Sequence, residues 1–190
     1  MKQAKVLTDR EMKRLLAVVA DDRHNERNRL AIMLSHLAGL RVGEIASLKI
    51  SDVVNGEGQV RDQLRLSPSQ TKGGIARTAF MNWRLQREIC QYLDSLPALS
   101  APEAALLLSQ KGGSFSANTL CQLFGELYRR AGIVGASSHS GRRGFITKLA
   151  HSGVLAKVIM ELAGHKHLGT TQKYIEVNDE MKRAAVEMLN

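Results

Sequence analysis

Cysteine is scarce in this sequence. Cys90 and Cys121 are the two among 190 residues, and they lie far apart and outside any CxxC pattern. That excludes a disulfide framework or zinc knuckle and makes two buried thiols the expectation. Aromatic residues make up 4% of the chain, too few for the platform on which a single-strand binder stacks bases. No apolar run approaches the length of a membrane span, and the N-terminus MKQAKVLTDR lacks the apolar centre of a secretory signal. The reading is a soluble, cytoplasmic protein with no membrane partner. A carboxylate cluster is also missing, so no metal site is expected. Acidic residues are in deficit, 18 Asp and Glu against 27 Lys and Arg, for a formal net charge of +9. Such an excess points to a polyanionic partner, nucleic acid first.

What is present is mostly helical patterning. Thr8 followed by Glu11 fits a capping box, and Met12, Leu15, Leu16 and Val19 then repeat on one face. A second run from about Asn25 to Leu40 stops near Gly39, and a short third holds Val42, Ile45 and Leu48. VRDQLRLSPSQ and GIARTAFMN, separated by TKGG, read as a hairpin whose tip is Lys72, Gly73 and Gly74. Helical spacing resumes from about Leu85 to Leu96, breaks at Pro97 and Pro102, and returns from Ala117 to Ala131. Three or four further helices follow. The last, NDEMKRAAVEML, has an N-cap candidate at Asn178 or Asp179 and a narrow apolar stripe of Met181, Ala184, Ala185, Met188 and Leu189. The expected fold is mainly α with a small antiparallel β-sheet, and residues 1–190 read as one domain.

Four short segments carry side chains suited to phosphate chemistry. SHSGRRGFITKLA, from Ser138 to Ala150, places His139 three residues before Arg142 and four before Arg143, so the imidazole and at least one guanidinium share a helix face. A guanidinium offers fork-shaped donors to phosphate, and an imidazole can donate or move a proton. HLAGLRVGEIASL sets Arg41 and Glu44 three apart at a helix start, a spacing that also suits a plain surface pair. TKGGIAR puts Lys72 on the hairpin tip, and ELAGHKHLGTTQKYIEV holds His165, His167 and Tyr174. Each segment alone has an ordinary structural explanation. Their order and spacing together do not.

GLRVGE, TKGG, HSGR, and LAGH followed nine residues later by Tyr174, resemble the tyrosine recombinase, or phage integrase, family over about Thr8 to Met188. The resemblance implies that family's catalytic domain, with Arg41, Lys72, His139, Arg142, His165 and Tyr174 as catalytic residues and Glu44 supporting them. It selects Arg142 over Arg143 and His165 over His167. Arg77, Arg143 and Lys166 are candidates for contacts to the DNA backbone. Two departures stand out: Gly141 occupies a position where the family commonly has a bulky apolar residue, and Arg143 one where His is frequent. Most relatives also carry an N-terminal helical DNA-clamping domain. The reading here is a catalytic domain alone, either one of the short stand-alone recombinases or a fragment.

The chemistry so implied is phosphoryl transfer. Arg41 and Arg142 would balance the charge that attack adds to the non-bridging oxygens. Tyr174 would attack, His139 would take the phenolic proton, Lys72 would protonate the leaving 5' oxygen, and His165 would donate a hydrogen bond to a non-bridging oxygen. No cofactor, metal or ATP is required. The implied partners are double-stranded DNA, further copies of the chain in a tetrameric synapse, and an accessory DNA-bending protein, with the protein nucleoid-associated when bound. The alternatives are a type IB-like topoisomerase and a DNA-binding accessory factor that keeps the fold without the reaction.

Overall fold

The computed structural model describes residues 3–96, 101–175, 177 and 179–189, without the side chain of Met181. The proposed break at Pro97, the N-cap candidate Asn178 and the Met181 member of the last apolar stripe therefore lie outside the described residues.

Thr8 caps α1 (Asp9–Ala20): its hydroxyl accepts from the Glu11 amide at 3.2 Å while its own amide donates to Glu11 Oε2 at 3.0 Å. α1 turns Leu15 and Val19 inward. α2 (Asn25–Leu37) buries Leu30 through Ser35 without interruption, the pattern of a helix enclosed on several sides. It packs against α1, α5 (Trp83–Asp94) and α7 (Ser140–His151), and so forms the axis of the molecule. α3 (Val42–Ala46) and α4 (Ile50–Val53) lead into a two-stranded antiparallel sheet, β1 (Gln63–Leu66) and β2 (Arg77–Phe80), with Gln63 opposite Phe80 and Leu66 opposite Arg77. α6 (Ala117–Arg130) packs on α1 and α3. After α7 come α8 (Ala156–Ala163), α9 (Leu168–Gln172) and α10 (Asp179–Glu187). The mainly helical fold with a small antiparallel sheet is as expected from the sequence.

Two apolar clusters result. The main core runs in sequence from Leu7 to Ile133 and draws on α1 through α6 and the sheet. A smaller one consists of Ile146 and Ala150 of α7 with Ile159 and Ala163 of α8, against which Phe145, Leu149, Val154, Tyr174 and Ile175 pack. In α10, Val186 is exposed, as are Met188 and Leu189 just beyond it. Cys121 is half-buried, but Cys90 is exposed, contrary to expectation. The helical register that buries Leu85, Glu88, Ile89 and Tyr92 turns Cys90 outward. No helix among the described residues is long and apolar enough to cross a membrane.

Candidate active site

Two helix ends and one helix start converge beside the hairpin. α2 gives way at Gly39, whose φ of +62° is the left-handed conformation that glycine adopts without strain. A side chain there would also meet the Phe145 ring, 2.5 Å from where a Cβ would stand. The turn delivers Arg41 to the start of α3. Glu44, 1% exposed, closes back on it: its carboxylate accepts from the Arg41 amide at 2.8 Å and from Arg41 Nη1 at 3.0 Å.

α8 ends in the same fashion at Gly164, φ +60°, where the Gly164 and His165 amides donate back to Glu161 and Met160. This closing turn leaves the next two carbonyls, those of Leu162 and Ala163, without helical partners. Two guanidiniums take them. Arg77 Nη1 donates to Leu162 O at 3.0 Å, and Arg142 donates through Nη2 to Ala163 O and through Nη1 to Gly39 O at 2.6 Å. Arg142 is thereby fixed between the ends of α2 and α8.

The electrostatics favour an incoming anion. Burial, with Arg41 and Arg77 nearby, presses the Arg142 pKa down to about 9, so Arg142 remains charged at neutral pH and gains from any negative ligand. Burial, then Arg142, Arg41 and Arg77, lower His165 to about 4 and keep its imidazole neutral. Burial alone would raise the Glu44 pKa, but the hydrogen bond and charge of Arg77, with Arg41, bring it below the usual carboxylate range. Glu44 is therefore ionised, one negative charge among three guanidiniums.

His165 and Tyr174 are set by one residue. Fully buried Thr171 places its hydroxyl 2.9 Å from His165 Nδ1, and its carbonyl accepts from the Tyr174 amide at 2.9 Å. The Tyr174 ring stacks on His165, with centroids 5.8 Å apart and planes inclined by 23°. Tyr92 and Tyr128 are buried in the main core, so of the three tyrosines only Tyr174 lies beside these charges. An open groove of about 440 Å³ is lined by Arg41, Lys72, Gly73, Arg77, His165 and Lys166, among others. Lys72 is exposed on the hairpin tip, and Lys166 reaches across to that tip, its Cε 3.2 Å from the Cβ position of Gly73.

The fold thus brings together Arg41, Glu44, Lys72, Arg142, His165 and Tyr174. His139, the N-cap of α7, is exposed and makes no capping hydrogen bond. The three backbone-contact candidates stand in different settings. Arg77 is turned inward, donating to Glu44 through Nη2 at 2.7 Å and Nε at 3.2 Å, because strand alternation puts it on the same face as buried Ala79. That alternation was the signal available in the sequence. Arg143 lies over the Tyr174 ring, 5.8 Å from its centroid, with a buried Nε that has no hydrogen-bond partner among the described residues. Lys166 remains exposed at the groove. Thr171 was missed outright, for nothing in TTQKY distinguishes a positioning hydroxyl from a packed one. Among the described residues, no group of three or more His, Cys, Asp or Glu side chains is gathered to hold a metal.

A model described as the phage integrase family matches residues 5–181. Tyrosine recombinase XerA of Pyrococcus furiosus is 34% identical over 190 residues, covering 98% of this chain and 62% of that protein. Tyrosine recombinase XerC of Vibrio cholerae is 29% identical over 170 residues, covering 88% and 52%. Among solved structures, the crystal structure of XerA recombinase superposes with a TM-score of 0.77 at 25% identity, covering all of this chain and 66% of that one. The Tn1549 transposon integrase, solved in complex with circular intermediate DNA, gives 0.76 at 20% identity, covering all of this chain and 68% of that one. The chain spans 62% or less of the length of these two curated relatives.

Proposed function

This chain belongs to the phage integrase family of tyrosine recombinases, and on that premise we propose that it cleaves and rejoins double-stranded DNA at specific sites through a 3'-phosphotyrosyl intermediate. The observation that carries the proposal is the stack of Tyr174 on a neutral His165, an imidazole that lines one groove with Arg41 and Lys72 and lies near Arg142. In the cleavage step the Tyr174 oxygen bonds to phosphorus as the bond from phosphorus to the 5' oxygen breaks. His139, exposed at the start of α7, is the base proposed to take the phenolic proton when DNA is bound, and Lys72 supplies a proton to the 5' oxygen. Arg41 and Arg142 balance charge on the non-bridging oxygens, to which His165 also donates. Rejoining is the same step in reverse with a 5' hydroxyl from another strand. The phosphodiester energy is held in the tyrosyl ester, so the exchange calls for no ATP, and the guanidiniums supply the charge that a metal ion would otherwise bring.

Exchange between two sites proceeds through a Holliday junction, with four copies in a synapse on DNA and an accessory DNA-bending protein where a site needs one. The protein is then nucleoid-associated while bound. Arg143 and Lys166 are the cations proposed to approach the DNA backbone. Arg77, held by Glu44 and Leu162, is not among them.

The test is to incubate the protein with supercoiled plasmids bearing fragments of its host DNA, resolve the products on a denaturing gel and sequence the DNA ends attached to protein. Wild type should give adducts at defined positions. Tyr174→Phe should give none while its DNA affinity stays within about threefold, since only a phenolic oxygen is removed. Relaxation without site preference would indicate a topoisomerase, and DNA binding without adduct an accessory factor.

A further inference from the structure

The wild-type geometry leaves Arg41 only lightly engaged. It gives Glu44 one side-chain hydrogen bond, through Nη1, and the rest of its fork has no partner among the described residues. Glu44 is nonetheless a buried carboxylate that must be saturated. Arg77 does the saturating. Nε and Nη2 grip both carboxylate oxygens, while Nη1 is anchored on Leu162 O at the end of α8. The stem of Arg77 is fixed as well, since its Cδ fills the space a Cβ at Gly164 would need, at 2.5 Å. Without Arg77, and with Arg142 held by the Gly39 and Ala163 carbonyls, Arg41 is the guanidinium among the described residues left to offer Glu44 a two-point grip, and that grip would turn Arg41 away from the groove.

We infer that Arg77 is a positioning residue: by occupying Glu44, it keeps the Arg41 guanidinium available to a phosphate. This rests on the strand-cleavage reading above.

The experiment measures single-turnover cleavage and DNA affinity on a duplex carrying the mapped cleavage site, for wild type, Arg77→Met, Glu44→Gln and the double variant. Arg77→Met should cleave about 10- to 100-fold more slowly, the scale of a misplaced catalytic group. Its dissociation constant should stay within about threefold, as expected of a side chain that does not touch the DNA backbone. Neutralising Glu44 in the double variant removes the competitor for Arg41 and should bring cleavage back to within about tenfold of wild type, a rescue that additive structural damage cannot produce. A double variant as slow as Arg77→Met, or slower, overturns the inference. So does a defect of Arg77→Met that lies in DNA affinity with a shallower salt dependence, which would return Arg77 to the DNA backbone. If Arg77→Met does not fold, Arg77→Lys keeps a cation beside Glu44 but loses the fork. It should cleave several-fold more slowly, and cleavage at the wild-type rate would equally overturn the inference. Absence of adduct from wild type on any DNA would instead sink the strand-cleavage reading, and the role of Arg77 with it. Adduct without rescue sinks only this inference.

Discussion

Arg142 and Arg143 are neighbours in sequence with unlike tasks. Arg142 is buried, bonded to the Gly39 and Ala163 carbonyls, and short of negative charge, whereas Arg143 rests against an aromatic face. Arg142→Ala and Arg41→Ala should each slow cleavage by on the order of 10²- to 10³-fold, as loss of a preorganised oxyanion donor does. Arg143→Ala should cost only about 2- to 5-fold, the worth of a half-buried cation–π contact at the weaker end of its range. A larger loss at Arg143 in single-turnover assays would reverse the assignment. Thr171 permits a sharper experiment. For His165 to donate from Nε2, its Nδ1 must accept, so the Thr171 hydroxyl must be the donor in their 2.9 Å contact. Thr171→Val keeps the shape and removes the hydroxyl. It should cleave about tenfold more slowly, equivalent to one hydrogen bond, while Thr171→Ser stays near wild type. Equal rates for Val and Ser would show that only packing matters there. At this scale the sequence exposed residue types and order: of six catalytic candidates named from their motifs, Arg41, Lys72 and His165 line the groove, Arg142 is buried near them and Tyr174 stacks on His165. Strand alternation could have turned Arg77 inward, but its partner Glu44, 33 positions away, could not be named from the sequence.

Helices place these side chains, and the crossing of α2 and α7 is the tightest junction among them. Gly141 makes it possible. A Cβ there would lie 2.4 Å from Ser35 Oγ, 2.7 Å from His36 Cδ2 and 2.8 Å from Ser35 Cβ. The bulky apolar residue expected at this position on family grounds has no room, because α2 presents Ser35 and His36 to the spot. Gly141→Ala should therefore push α7 outward and cost about 1–3 kcal/mol, a drop of roughly 2–10 °C in melting temperature. It should also slow cleavage, since Arg142 would lose its reach to Gly39. An unchanged melting temperature would show that the crossing relaxes freely. Helices with strong periodicity and caps, such as α1, were legible from sequence to within a residue or two. α8 and α9 were legible only as a count, because they are short and defined by where Gly164 and Thr171 turn the chain. Val186, Met188 and Leu189, in and just beyond α10, are exposed and would suit contact with a neighbouring copy of the chain in the proposed synapse. Removal of residues 178–190 should leave the melting transition cooperative and alter the balance of cleavage and ligation. Loss of that transition without DNA would tie the helix to the core.

For the molecule as a whole, acidity is the informative variable. Burial, with Lys148 nearby, holds His36 at about 4, and burial with three guanidiniums holds His165 at about 4, both from 6.5. Between pH 6.5 and 4 the unfolded chain binds protons at these sites and the folded chain does not, so stability is full above 6.5 and falls as pH drops through that window. The slope for His36 should be about 1 kcal/mol per pH unit. Glu11, at about 2, and Glu44, also lowered, extend the loss below pH 4.5. Urea unfolding at several pH values should show this, with the His and Glu contributions separable because His36→Gln flattens only the upper window. An unchanged slope in that variant would mean that His36 already takes up a proton in the folded protein. The two apolar clusters differ in another respect. The main core ties six helices and the sheet together, whereas α7 and α8 share four buried side chains that back Tyr174. α7 is held against α2, but lifting α8 and α9 from α7 exposes little apolar surface, so it costs far less than global unfolding. The proposed nucleophile is thus mounted on the part of the molecule that local excursions reach first, and it can be withdrawn and re-presented many times within the lifetime of one folded chain.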